Sequence, residues 1–74
     1  MKELERVVLK IDIPEKNLQA GDVGTIVLVH DSPKGYEVEF CALNGETFTV
    51  ESLLEDQVRP IAPGEIAHAR AVST

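Results

Sequence analysis

The chain has 74 residues, room for one domain, and carries seven basic against thirteen acidic side chains, a net charge of −6. That balance speaks against nucleic acid or an anionic membrane surface as ligand, because both call for a basic patch that neutralises phosphate. One cysteine, Cys41, excludes an internal disulfide framework; no apolar run approaches the roughly 20 residues that span a bilayer, and the charged start MKELERVVLKIDI lacks the apolar stretch of a secretion signal, so a cytoplasmic protein is expected.

The first expected element is a strand over 6–13. Val7, Leu9, Ile11 and Ile13 alternate with Val8, Lys10 and Asp12, which is the pattern of a half-buried strand. Pro14 ends it for want of a ladder donor. PEKNLQAGD then reads as a loop with Leu18 as its inward anchor. Gly21 is expected at positive φ in the turn that follows, and Gly24 where the next strand meets other backbone closely.

That second strand runs from Gly24 to His30 and is rich in β-branched residues. DSPKG supplies a turn through Pro33 and Gly35. The third strand, Tyr36 to Cys41, points Tyr36, Val38 and Phe40 inward and Glu37 and Glu39 outward. Asn44-Gly45 marks a hairpin. The fourth strand, Thr47 to Glu51, is expected to turn Phe48 and Val50 inward. SLLEDQ is read as a single helical turn, and VRP as a short fifth strand.

Register follows from which residues share a face. A three-residue loop, Leu43-Asn44-Gly45, closed by a left-handed glycine pairs Phe40 with Phe48 and Val38 with Val50. A five-residue loop, Asp31–Gly35, pairs His30 with Tyr36, Leu28 with Val38 and Ile26 with Phe40. This register leaves Val27 and Val29 on the outer face and sets Glu37 opposite Glu51, an unfavourable like-charge pair. Five short antiparallel strands bury too little as a flat sheet. The expectation is all-β, a small five-stranded SH3-like barrel over 1–60 with a helical turn before the last strand. Residues 61–74 are read as a flexible or lightly docked tail. Its pattern in GEIAHARAV would place Ile66, Ala69 and Val72 on a narrow helical stripe, with Val27 and Val29 as a landing site.

LQAGDVGTIVLVH, GYEVEF, NGET and LLEDQVRP together resemble an uncharacterised bacterial domain-of-unknown-function family of short proteins. The resemblance covers Leu18 to Pro60 and implies an SH3-like barrel. It implies no activity and no catalytic residues; pairing with a neighbouring protein, in the manner of an antitoxin, is the analogy it offers.

Few residues carry chemistry. Cys41 has no evident base, and His30 and His68 lack metal-site spacing. GDVGT lacks the pattern of a phosphate loop and does not open a helix. Ser32 and Ser52 show no companions for hydrolytic chemistry. Between Gly35 and Val58 there are six acids and no Lys or Arg. The reading is therefore a non-enzymatic protein-interaction module without cofactor or metal. Val27 and Val29 supply apolar contact, and Glu37, Glu39 and Glu51 select a basic protein partner. The alternatives are self-association of two copies through the valines, and an accessory or antitoxin-like partner of an enzyme.

Overall fold

Five strands form in a computed structural model that describes residues 1–72: β1 (Arg6–Leu9), β2 (Val23–Asp31), β3 (Lys34–Cys41), β4 (Thr47–Leu54) and β5 (Val58–Pro60). Single 3₁₀ turns, Pro14–Lys16 and Glu55–Gln57, are the helical elements among the described residues. All pairings are antiparallel within one sheet, in the order β4-β3-β2-β1-β5. The all-β reading and the turn before the last strand are what the sequence led us to expect.

The connections force this sheet to curl. β4 and β5 are its two edges, yet only Glu55–Gln57 joins them. The four chain steps from Leu54 to Val58 reach about 14 Å at most. A flat five-stranded sheet would hold its edges about 19 Å apart. The edges must therefore approach each other, and one concave face closes around the core. Leu53 and Val58, from opposite edges, accordingly share a buried cluster with Val7, Leu9, Leu18, Ile26, Tyr36, Val38 and Phe40. Gln57 steadies the turn between them by accepting the Leu54 amide hydrogen at 2.8 Å.

β1 is shorter than the alternation suggests. After Leu9 the chain leaves the sheet and folds on its own loop: Ile13 bridges Leu18, and the Asp12 carboxylate accepts the Ala20 amide hydrogen at 2.9 Å. Ile11 is 39% exposed as a result, and Ile13 is only partly buried. Leu18 anchors the loop in the core as expected.

The register of β3 departs from expectation on both sides: through an extra residue in β4, and through a tighter turn followed by an extra residue in β2. At the β3–β4 hairpin the expected loop forms, with the Gly45 N–H donating to the Ala42 carbonyl, Gly45 at φ +94°, and Ala42 bonded to Glu46. Cys41 then pairs with Thr47, but Phe40 pairs with Thr49, so Phe48 is an extra residue. This second bulge lets Phe48 pack against the core while every later residue of β4 changes face. Val38 opposes Glu51 and Tyr36 opposes Leu53, so Glu51 points inward and Val50, 48% exposed, points out.

At the β2–β3 hairpin the strands run closer to the turn than expected. Asp31 pairs with Lys34 around Ser32-Pro33, a cis peptide bond. Tyr36 therefore opposes Val29 rather than His30. A bulge at Val27 restores Ile26 to the inner face, opposite Val38. Val29 is thus an inward residue packed against the core, and Leu28, 47% exposed, takes the outer position.

The glycines follow the sequence argument. Gly21 sits at φ +99°. A Cβ on Gly24 would lie 2.5 Å from Val38 Cγ1 and 3.0 Å from the Glu39 carbonyl oxygen, so β2 and β3 can cross here only because the side chain is missing.

The helical stripe expected in the tail does not form: residues 65–72 have no regular structure, and Ile66 is 90% exposed. Arg59 holds Glu65 through two nitrogens, at 2.9 and 2.6 Å, and Arg70 reaches Asp22 and the Asn17 carbonyl. Val8 opposes Val23 and Arg59, so it lies between these two anchors. Val8 is only 5% exposed and stands apart from the core cluster. Ser73 and Thr74, the end of the expected tail, lie outside the described residues.

Two predictions follow from this packing. Gly24→Ala should lose about 1–3 kcal/mol of stability in urea denaturation, since backbone as well as side chain must yield. Leu53→Ala should cost about 2–5 kcal/mol, whereas Val50→Ala should stay within about 0.5 kcal/mol of the parent; similar losses at both positions would contradict the bulge at Phe48.

Candidate functional site

The outer face of β2, β3 and β4 is built in three rows that the register dictates. Leu28, Glu37 and Ser52 form one row, Thr25, Glu39 and Val50 the next, and His30, Gly35 and Leu54 the third. Val27 (39% exposed) and Leu28, Val50 and Leu54 (47–50%) give the face its apolar share. Glu37 and Glu39 lie among them.

Each carboxylate is held by neighbours. The Ser52 hydroxyl donates to Glu37 Oε2 at 2.6 Å, and His30 Nε2 lies 2.7 Å from the same oxygen. These contacts, the serine's first, keep Glu37 below the ordinary carboxylate range. The Thr47 hydroxyl donates to Glu39. Cys41 lies beside this pair, and desolvation followed by the Glu39 charge pushes its thiol above the ordinary range, which makes it a poor nucleophile.

Sequence reasoning found no partner for Ser52, yet the fold brings serine, histidine and carboxylate together. Their order is wrong for nucleophilic catalysis. The carboxylate sits in the middle and takes the serine proton donor itself, so no base faces the hydroxyl. An open groove of about 290 Å³ borders this group, between Ser32-Pro33 and Leu53-Leu54.

Three of the five residues expected on this face are there: Val27, Glu37 and Glu39. Val29 belongs to the inner side, as shown by its pairing with Tyr36. Glu51 is also inward. Its side chain is 16% exposed, accepts the Thr49 hydroxyl at 2.6 Å and lies 4.0 Å from Lys16 of the covering loop. The like-charge pair of Glu37 and Glu51 therefore does not exist; Ser52 stands opposite Glu37 and bonds it. Leu28, Val50 and Leu54 replace the missing contacts, and nothing in the alternation marks them, because each lies beyond a bulge.

Among the described residues no three His, Cys, Asp or Glu side chains converge as a metal site, and no helix is long and apolar enough to cross a membrane. Residues 3–60 match the family described as Domain of unknown function (DUF4926). The chain belongs to this family. The match ends where β5 ends, so the DUF4926 domain comprises the curled sheet, and the strap after Pro60 lies beyond it. No curated protein and no solved structure matches the chain.

The strap's ion pairs give a pH dependence. Arg59 and the Ala62 amide lower Glu65 from its ordinary 4.5 to about 2. At Asp22 burial acts upward, but the Arg70 and Gln19 hydrogen bonds and the Arg70 charge outweigh it and the net shift is downward. A carboxylate that is more acidic when folded stabilises the bound form above its unfolded value and loses that effect as pH falls through the folded one. Amide signals of residues 62–71 should therefore move to unstructured positions between pH 4.5 and about 2, while those of Tyr36 and Val38 stay dispersed.

Proposed function

We propose that this DUF4926 protein is a small SH3-like, non-enzymatic interaction module of the cytoplasm whose outer β2–β3–β4 face binds a basic, partly apolar segment of a protein partner. The observation that carries the reading is the pairing of four exposed aliphatic side chains, Val27, Leu28, Val50 and Leu54, with two carboxylates, Glu37 and Glu39, on one sheet face. Exposed aliphatic side chains gathered on one face are a recurrent mark of contact surfaces. Carboxylates set among them reward lysine or arginine in the partner and speed the encounter.

Self-association through the same face is the competing use of these aliphatic residues. A two-fold pair would bring each patch onto its own copy, and with it the acidic centre onto an acidic centre. Each copy already carries a net charge of −6, so the like-charge repulsion favours a basic partner over a second copy.

The test is a titration of the protein with synthetic peptides in which lysine alternates with leucine or valine. Amide shifts should cluster on β2, β3 and β4, weaken with added salt, and vanish in Glu37→Lys/Glu39→Lys at unchanged thermal stability. Equal binding by that double variant, or shifts confined elsewhere on the molecule, would reduce the face to solvated surface.

A further inference from the structure

The loop between β1 and β2 holds a second recognition feature, built from other residues than the outer face and independent of that reading. Arg70 is seated there through a fork. Its Nε donates to Asp22 Oδ1 at 2.9 Å, one Nη donates to Asp22 Oδ2 at 2.5 Å, and the same Nη donates to the Asn17 carbonyl at 2.9 Å. Arg and Asp side chains are only 25% and 18% exposed. A planar guanidinium meeting a carboxylate edge-on and a carbonyl beside it is the arrangement that distinguishes arginine from lysine.

The receiving groups do not depend on the arginine for their position. The Gln19 amide donates to Asp22 Oδ2 at 2.8 Å, and the Ala20 amide to Asp12 at 2.9 Å, so two carboxylates brace the loop from within. Asn17 turns the backbone at φ 57° after the 3₁₀ turn, and Leu18 is locked in the core. A site whose donors and acceptors are fixed beforehand binds without the cost of ordering them.

The receptor and its occupant also differ in origin within the chain. Asp22 and Asn17 fall inside the stretch shared with the DUF4926 family, while Arg70 falls after it. Beside the fork lies an open groove of about 440 Å³, lined among the described residues by Pro14, Leu18, Ala71 and Val72.

We infer that Asp22 and the Asn17 carbonyl form a recognition site for an arginine in an extended segment, occupied in cis by Arg70 and taken over by a partner that carries arginine followed by a bulkier apolar residue. The tail then acts as a built-in competitor. Its short connection to β5 gives Arg70 a high local concentration, so a partner must offer more contact than Ala71 and Val72 do. The open groove beside the fork is where that extra contact would be made.

The probe is a synthetic peptide copying residues 66–72 with Ala71→Leu. It should bind full-length Arg70→Ala and shift the Gln19 and Asp22 amides, and bind the parent at least about tenfold more weakly, because the tethered arginine competes at millimolar effective concentration. Binding should be lost in Arg70→Ala/Asp22→Asn. The same peptide with citrulline in place of arginine should fail against Arg70→Ala, a comparison made on one folded protein. Equal binding of the citrulline peptide, equal binding by parent and Arg70→Ala, or no binding to Arg70→Ala would each overturn the assignment. The outcome is separable from the outer-face reading, since Glu37→Lys/Glu39→Lys leaves Asp22 untouched.

Discussion

β3 is clamped between two neighbours that each carry one residue too many. Val27 in β2 and Phe48 in β4 are the bulged positions, the first opposite the Glu37–Val38 step and the second opposite the Phe40–Cys41 step. A bulge sharpens the local twist and bends the strand that holds it. Two of them on either side of one central strand supply the bending that lets the sheet curl until a three-residue turn joins its edges. Gly24 completes the arrangement, because the bend brings β2 backbone within a methyl group's reach of Val38. Core, curl and outer face all derive from this single clamped strand.

The same constraint sorts polar groups between the two faces. Once Phe48 is extra, Ser52 rather than Glu51 opposes Glu37, and a repulsive pair becomes a hydrogen-bonded one. Glu51, turned inward, sits at the rim under the loop, where Thr49 and Lys16 face it. Leu28, Val50 and Leu54 are expelled in exchange. An aliphatic residue moved outward by a bulge contributes little to the core, and the three stand with Val27 on the face proposed for contact.

The strap after Pro60 adds a second layer. It is anchored by two arginine–carboxylate forks, Arg59 with Glu65 and Arg70 with Asp22, with little apolar burial between them. Fork pairs of this kind are geometrically specific but modest in strength when partly exposed. The strap is therefore held in a defined position by contacts of modest strength, which is what the proposed competition with a ligand requires.

Strand count, strand order along the chain, the inward set Tyr36, Val38 and Phe40, the Gly45 loop and the roles of Gly21 and Gly24 were all legible in the residues themselves. Each rests on a local rule: period-two alternation, turn chemistry, or a backbone angle that only glycine adopts readily. Glu37 and Glu39 were legible for the same reason, since they alternate within an unbroken strand. The exposure of Val50, the inward turn of Val29 and Glu51, the Ser52–Glu37–His30 group and the seat of Arg70 were not. A bulge has no fixed composition, and it reverses every side chain beyond it; only the packing of Phe48 and Ile26 into a shared core decides that it is present. Likewise Arg70 and Asp22, 48 residues apart, are brought together by the path of the tail back to the β1–β2 loop and by no pattern along the chain.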